Sequence, residues 1–374
     1  MLFVGLQENL KKGLNIIGHI TTKNVNLPIL NNILIRAENG NIEFVSTNLE
    51  IGITYKLRGK IDKEGEFTVD SKLISEYVNL LQPGEKVRIE QRDEGVFVEC
   101  GNYKTSIRGE SAKEFPLIPS IPREDCYSCS IKELKEALSS VVFAVASNEN
   151  RVELGGVCFS FFSESLNLAA TDSYRLAEKS IKIKTTGPKE ENKIIVPART
   201  VQELVRILNN LEESSLDGDD EIKLYIAENQ ILFVADGVEL ISRLINGNYP
   251  DYKQIIPLKS QTEIIVERHE LVRAIKATAL FSKTGINDVT LRFKKNKMTV
   301  SAFSGASGES SVDLVAEING DDNEITINYK YFLDGLNNIG GARIKIGLIN
   351  DNQPCVLKPE KENDYLYLVM PIRQ

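Results

Sequence analysis

The chain of 374 residues has no tryptophan, two histidines, three methionines and five cysteines. With only His19 and His269 available, in separate helical segments far apart in sequence, a Ser-His-Asp site has little to draw on. The sequence also lacks a P-loop, a G-x-G-x-x-G after a strand, an H-E-x-x-H and a G-x-S-x-G. Cys126 and Cys129 have C-x-x-C spacing, but Cys100, Cys158 and Cys355 supply no second pair, and zinc needs four converging ligands. The acidic runs at 217–220 and 321–322 read as solvated turns rather than cation sites. These gaps lead us to expect no catalytic residue, no metal and no cofactor. No apolar run approaches the roughly 18 residues of a membrane span, and the N-terminus has no signal-peptide layout, so a cytoplasmic location and no membrane partner are expected. Helix-turn-helix, zinc-finger and RNP-type stretches are absent, which excludes the common modules that read bases.

What is present is a repeat. Hydrophobic residues make up 42% and charged residues 26%, the proportions of a globular protein too long for one ordinary core. An apolar stripe at helical spacing (Leu6, Leu10, Leu14, Ile17) is followed by strand-like runs, a second helix after Val69, and more strands. The programme restarts at Ser130 and again near Glu267. The strand-to-helix junctions fall at Val69, Val196 and Ile327, spaced by 127 and 131 residues. Such a period exceeds any solenoid unit and is long enough for a domain with its own core. The expected class is α+β: three repeated domains at 1–122, 126–258 and 262–374, each with two helices on antiparallel sheet.

Two features stand out within the repeat. Lys72, Arg199 and Lys330 open the second helix of each unit, where a cation opposes the helix dipole by roughly 0.3–1 kcal/mol. The same unfavourable choice at three equivalent places suits a shared polyanion held by its phosphates. Formal net charge is -8, so such cations would have to be gathered on one face. The second feature is the turn at Thr171-Asp172-Ser173, with weaker copies at Thr47 and near Ser304. Only the middle copy leaves through Tyr174-Arg175-Leu176.

The segments 170–177 (ATDSYRLA), 249–252 (YPDY), 27–30 (LPIL) and 369–373 (VMPIR) together resemble the bacterial DNA polymerase III beta subunits, the replicative sliding clamps. The likeness runs through the whole chain in order. It implies a non-catalytic processivity factor: a head-to-tail homodimer whose six domains close a ring around double-stranded DNA. Its partners would be the replicative polymerase, an ATP-dependent clamp loader and repair proteins. It further implies a peptide pocket between the second and third domains, formed by Leu154, Thr171, Tyr174, Arg175, Leu176, Pro250, Gln254, Ile255, Leu368, Val369, Met370, Pro371, Ile372 and Arg373. Arg175 would meet a ligand carbonyl or carboxylate there. For DNA contact it points to Lys23, Asn24, Asn148, Arg151 and Arg199, beside Lys72 and Lys330. Ser173, Tyr174 and Gln254 stand where relatives often carry Gly, His and Arg, which bears on peptide preference. The residues alone leave two other readings open, a monomeric three-domain scaffold and a metal-dependent enzyme.

Overall fold

Each helix of this computed structural model follows directly on a strand. The structure describes residues 1–21, 26–147, 151–187, 191–212 and 221–372. Strand Leu2–Leu6 leads into α1 (Gln7–Ile17) and strand Gly65–Asp70 into α2 (Ser71–Leu80). Strand Tyr127–Ser130 precedes α3 (Ile131–Val142), and strand Asn192–Pro197 precedes α4 (Ala198–Glu212). Strand Thr262–Glu267 precedes α5 (Arg268–Thr278), and strand Asn323–Asn328 precedes α6 (Tyr329–Asn338). The last strand residue stops the sheet and caps the helix: Asp70 accepts the Leu73 N–H at 2.7 Å, and Asn328 accepts the Lys330 N–H at 2.9 Å. Leu6 departs from the expected stripe. It ends a strand and is 43% exposed, while Leu10, Leu14, Ile16 and Ile17 face the core.

The helices pack closely on their sheets. A β-carbon at Gly13 in α1 would lie 2.5 Å from the Tyr55 ring, and one at Gly335 in α6 would overlap the Tyr367 ring. Tyr367 is fully buried and donates its hydroxyl to the Tyr331 carbonyl at 2.8 Å, which pins α6 to the strand Tyr365–Val369.

The chain divides into two compact units: Met1–Lys135 with Lys184–Lys189 and Gln202–Leu244, and Glu136–Ile183 with Glu190–Val201 and Ile245–Gln374. The cut falls inside the central repeat, because its strands are shared out. In the first unit, strand Val238–Arg243 pairs antiparallel with strand Ile51–Leu57 of the first repeat, completing a 14-stranded sheet. In the second, strand Tyr365–Val369 of the last repeat pairs with strand Arg175–Lys182 of the central one, within a 9-stranded sheet. A separate 4-stranded sheet ends on strand Gly308–Val315. Within the first unit, Arg206 of α4 donates to the carbonyls of Asn15 and Ile16 at the end of α1 and to Glu203, which also holds His19 Nδ1 at 2.6 Å.

The connector after the first repeat crosses the seam between strands Ile51–Leu57 and Val238–Arg243. Phe115 joins a cluster with Leu34 and Val45, and Ile121 one with Leu232 and Ile241. Glu239 ties the same seam, accepting Lys56 Nζ and Arg123 Nη2 at 2.7 Å each. Burial opposes its charge, but these two cations outweigh that and hold its carboxyl below the ordinary 4.5. A depressed folded pKa means the stabilisation is complete above about 4.5 and is lost as the pH falls through the folded value. Glu239→Gln should therefore lower stability by roughly 1 kcal/mol at neutral pH, the ion pairs being partly exposed. Urea unfolding from pH 7 down to about 3 should show that deficit shrinking; a deficit independent of pH would contradict the ion-pair account.

Candidate functional site

The turn at Thr171 is built by side chains. Thr171 Oγ1 accepts the Ser173 N–H at 3.1 Å and donates to the Arg175 carbonyl at 2.6 Å. Asp172 Oδ1 accepts the N–H groups of Tyr174 and Arg175 at 2.9 and 3.0 Å. Ser173 takes φ +78° to allow this. The first repeat contains the same turn: Thr47 Oγ1 bonds the Leu49 N–H and the Ile51 carbonyl, Asn48 Oδ1 accepts from Glu50 and Ile51, and Leu49 has φ +75°. The third repeat differs. Phe303, which pairs with Glu309, occupies the threonine's place, and one extra residue closes the turn through Ser307 N–H to the Ser304 carbonyl. The third counterpart near Ser304 therefore lacks the hydroxyl that builds the other two.

The exit Tyr174-Arg175-Leu176 splits into three roles. Leu176 is fully buried in a cluster with Cys158, Ala169, Tyr252, Val356, Leu366 and Leu368, against which Tyr249, Ile256 and Met370 pack. Arg175 is largely used up inside the protein. Its Nε bonds Asp172 Oδ2 at 3.0 Å, Nη1 bonds Asp334 Oδ2 at 2.5 Å, and Nη2 bonds the Phe143 carbonyl at 3.0 Å. Burial works against its charge, but Tyr367, Asp172 and Asp334 more than offset that and raise its pKa. Only Tyr174 stands open, 62% exposed, with its ring against Tyr331 at 6.4 Å. The arginine side chain thus works as a brace between the turn, α6 and the residue after α3.

The remaining residues expected at the pocket fall into a buried and a more exposed set. Val369 sits opposite Arg175 and Leu368 opposite Leu176 in the strand pairing; both are buried, as are Leu154 and Thr171. Met370 donates its N–H to the Tyr174 carbonyl at 2.8 Å, and Ile372 donates to the Thr326 carbonyl. Pro371 forms a bridge with Ile327. Met370, Pro371, Ile372 and Pro250 are half-buried, whereas Ile255 and Gln254 are exposed, Gln254 bonding Asp251 at 3.0 Å. Tyr249 reaches the turn from outside, its hydroxyl accepting the Thr171 N–H at 3.1 Å, and it meets Tyr252 edge-on at 6.3 Å. Burial pushes both phenols up, so both are neutral at physiological pH. Arg373 lies outside the described residues. Sequence reasoning missed Phe143, Tyr331 and Asp334, which lie on distant elements and carry no motif; the adjacent Lys330 was the only pointer to that stretch.

Lys72, Arg199 and Lys330 are each the second residue of α2, α4 and α6, and each is exposed, Lys72 facing Glu76 at 3.7 Å. Arg151 instead bonds Glu153 and the Ser173 hydroxyl, next to the Thr171 turn. Lys23, Asn24 and Asn148 lie outside the described residues. Among the described residues no group of three or more His, Cys, Asp or Glu is placed to hold a metal ion, and no helix is long and apolar enough to cross a membrane. Cys129 is buried beside Glu133 and Glu221, which pushes its thiol up to about 12 and keeps it protonated. A groove of about 520 Å³ beside the connector at 112–123 is lined by Arg36, Lys56 and Arg123, paired with Glu66 and Glu239, and by Lys113, and it contains none of the expected site residues.

Three domain families match in order along the chain: the N-terminal domain of the DNA polymerase III beta subunit at residues 1–119, the central domain at 129–251 and the C-terminal domain at 253–373. The beta sliding clamp of Synechococcus elongatus is 29% identical over all of this chain and 99% of its own length. That of Staphylococcus epidermidis is 27% identical over 93% of this chain and 92% of its own. Among solved structures, the DNA polymerase sliding clamp from Bacillus subtilis superposes with a TM-score of 0.90 at 28% identity, covering 100% of this chain and 99% of that one.

The two matching turns give a controlled comparison. Asn48→Ala removes two hydrogen bonds from backbone N–H groups to the side-chain oxygen and should cost about 1 kcal/mol. Asp172→Ala removes two as well and also strips a carboxylate from the half-buried Arg175, so a loss of roughly 2–3 kcal/mol is expected. Urea unfolding followed by tyrosine fluorescence measures both; equal losses would show that the brace adds nothing.

Proposed function

The chain belongs to the DNA polymerase III beta subunit family, the bacterial sliding clamps, and from that membership we propose that two copies join head to tail in a closed ring around duplex DNA. One observation carries this reading. In both joints between repeats, the last strand of one repeat pairs with the strand that follows the turn in the repeat before it. Ser242 then faces Ile51 and Val238 faces Tyr55; likewise Val369 faces Arg175 and Tyr365 faces Lys179. One strand of each kind is left over. Among the described residues, 103–108 pair on one side only, with strand Gly95–Cys100, and strand Gly308–Val315 pairs only with Lys297–Ser304. Open strand edges invite another chain. Tyr103 is 59% exposed and Val315 85% exposed at these edges.

A second copy satisfies both edges, and with a two-fold rotation between the copies the head-to-tail assembly closes rather than polymerises. The same register puts Ile107 opposite Gly308 and Tyr103 opposite Val312 of the partner. Three domains per chain, at 1–122, 126–258 and 262–374, then give six around the ring. The helix-opening cations Lys72, Arg199 and Lys330 face the DNA backbone, with Lys23, Asn24, Asn148 and Arg151 as further candidates. Contact of this kind is sequence-independent and salt-sensitive, which suits sliding. The protein performs no chemistry in this reading and works in the cytoplasm. It raises the local concentration of whatever it tethers. The partners are the replicative polymerase, an ATP-dependent clamp loader and repair proteins, which share the pocket built on Leu176, Leu368 and Met370.

Tyr103→Cys combined with Val312→Cys should give a covalent dimer under mild oxidation, since this pair matches one whose backbones are not hydrogen-bonded and whose side chains approach most closely. Loaded on nicked circular DNA and only then crosslinked, the ring should be retained until the DNA is linearised and then slide off; protein that stays bound to the linear form would rule out encirclement. Deleting residues 370–374 should abolish stimulation of the polymerase while leaving the dimer intact, as judged by light scattering. Loss of the dimer as well would sink the pocket assignment.

A further inference from the structure

Tyr174 is not required by the fold. The matching position in the first repeat is Glu50, in the same hydrogen-bonded turn, so the backbone there accepts any side chain that reaches solvent. Yet the Tyr174 ring is fixed in a layered stack. It lies nearly parallel to Tyr331, with 21° between the planes and 6.4 Å between centroids. Tyr331 in turn has the Arg175 guanidinium 4.7 Å from its centroid, and the same guanidinium lies 5.6 Å from the Phe143 ring. Asp172, Asp334 and the Phe143 carbonyl hold that guanidinium from three sides. The stack is therefore rigid from below. Its outermost layer is a tyrosine with no further ring partner among the described residues.

Within the stack Arg175 brings one cation against two carboxylates, Asp172 and Asp334; outside it Arg151 is matched by Glu153, and Lys330 stands exposed one helical turn before Asp334. Asp334 bonds Arg175 through Oδ2 and remains 47% exposed. An electron-rich ring face beside an exposed carboxylate attracts a cation, and a planar one most, because a guanidinium can stack on the ring while donating in its own plane. The stack also stands next to the apolar floor, since the Tyr174 carbonyl accepts the Met370 N–H and Met370 packs against Leu176 and Leu368.

We propose that Tyr174 and Asp334 make the pocket selective for partner peptides that carry an arginine beside their apolar anchors. The proposal rests on the peptide-pocket reading above and adds to it the side-chain class the rim prefers. Arg175 takes little part in that recognition except through Tyr331, because each of its three side-chain nitrogens is already bonded within the protein.

The test uses the full-length protein and three fluorescein-labelled hexapeptides. All carry the same leucine and phenylalanine anchors and differ only in having Arg, Gln or Glu at the residue before them. Fluorescence anisotropy should show the Arg peptide binding about five- to tenfold tighter than the Gln peptide, with the Glu peptide weakest. Tyr174→Leu, which removes the ring face, and Asp334→Asn, which removes the charge, should each cut the Arg-over-Gln ratio to about twofold or less. Tyr174→Phe, which keeps a ring face, should retain most of it. Equal binding of the three peptides overturns the arginine preference while the pocket reading stands. A preference that survives both Tyr174→Leu and Asp334→Asn would come from the acidity of the whole chain and also overturns it. If none of the peptides binds, the pocket reading itself fails and this proposal with it.

Discussion

A β-strand needs partners on both edges or a reason to lack one, and that requirement organises this molecule. The second and third repeats each supply a final strand that their own sheet does not enclose, and the repeat before supplies the matching edge. The joints at Ile51–Leu57 with Val238–Arg243, and at Arg175–Lys182 with Tyr365–Val369, are backbone ladders rather than side-chain contacts. Ladders of this length fix register as well as proximity, because a slip of one residue would turn every buried side chain outward. This also explains why compactness divides the chain through the middle of the central repeat: its strands belong to two different sheets.

The seams are where ligand-sized surface arises, because a connector must cross each ladder after the chain leaves one repeat for the next. At the second seam the connector brings Tyr249, Tyr252 and Ile256 over a floor of Leu176 and Leu368. The turn entering that seam is held by Thr171 and Asp172, and the exposed parts, Tyr174 and Ile255, stand on either side of buried apolar residues. A rigid rim over an apolar floor is what an extended peptide with a few anchoring side chains requires.

Much of this was legible in the sequence. The period, the class of fold and the positions of Lys72, Arg199 and Lys330 follow from where Val69, Val196 and Ile327 sit, because strand-to-helix junctions leave strong local patterns. Which strand pairs with which across a repeat boundary was not legible, since pairing depends on edges meeting in space. Arg175 shows the limit most clearly. Read alone it is a cation beside a pocket, and only the positions of Asp334 and Phe143, on elements far away in sequence, turn it into a brace. Leu6 shows the opposite limit: its spacing fits a helical stripe, but the strand it ends pairs with strand Lys86–Arg92 and leaves it exposed.

The two seams share their turn, hydrogen bond for hydrogen bond, and differ in what fills them. At the place of Leu176 the first seam has Gly52, and a β-carbon there would meet Ile118 Cδ1 at 2.9 Å and Ile241 Cγ2 at 3.0 Å. The absence of a side chain lets the protein's own connector press Ile118 onto the ladder, where Gly52, Ile118 and Ile241 also line the groove beside the connector. At the second seam Leu176 occupies that space, and the connector's Tyr252 and Ile256 pack around it instead of replacing it. One residue difference at equivalent positions thus separates a seam whose connector packs directly onto the backbone from one whose connector packs around a side chain. The duplicated ladder needs only the backbone, which leaves the side chains at Glu50-Ile51-Gly52 and Tyr174-Arg175-Leu176 free to diverge, Gly52 admitting the connector's Ile118 and Leu176 filling the same space itself.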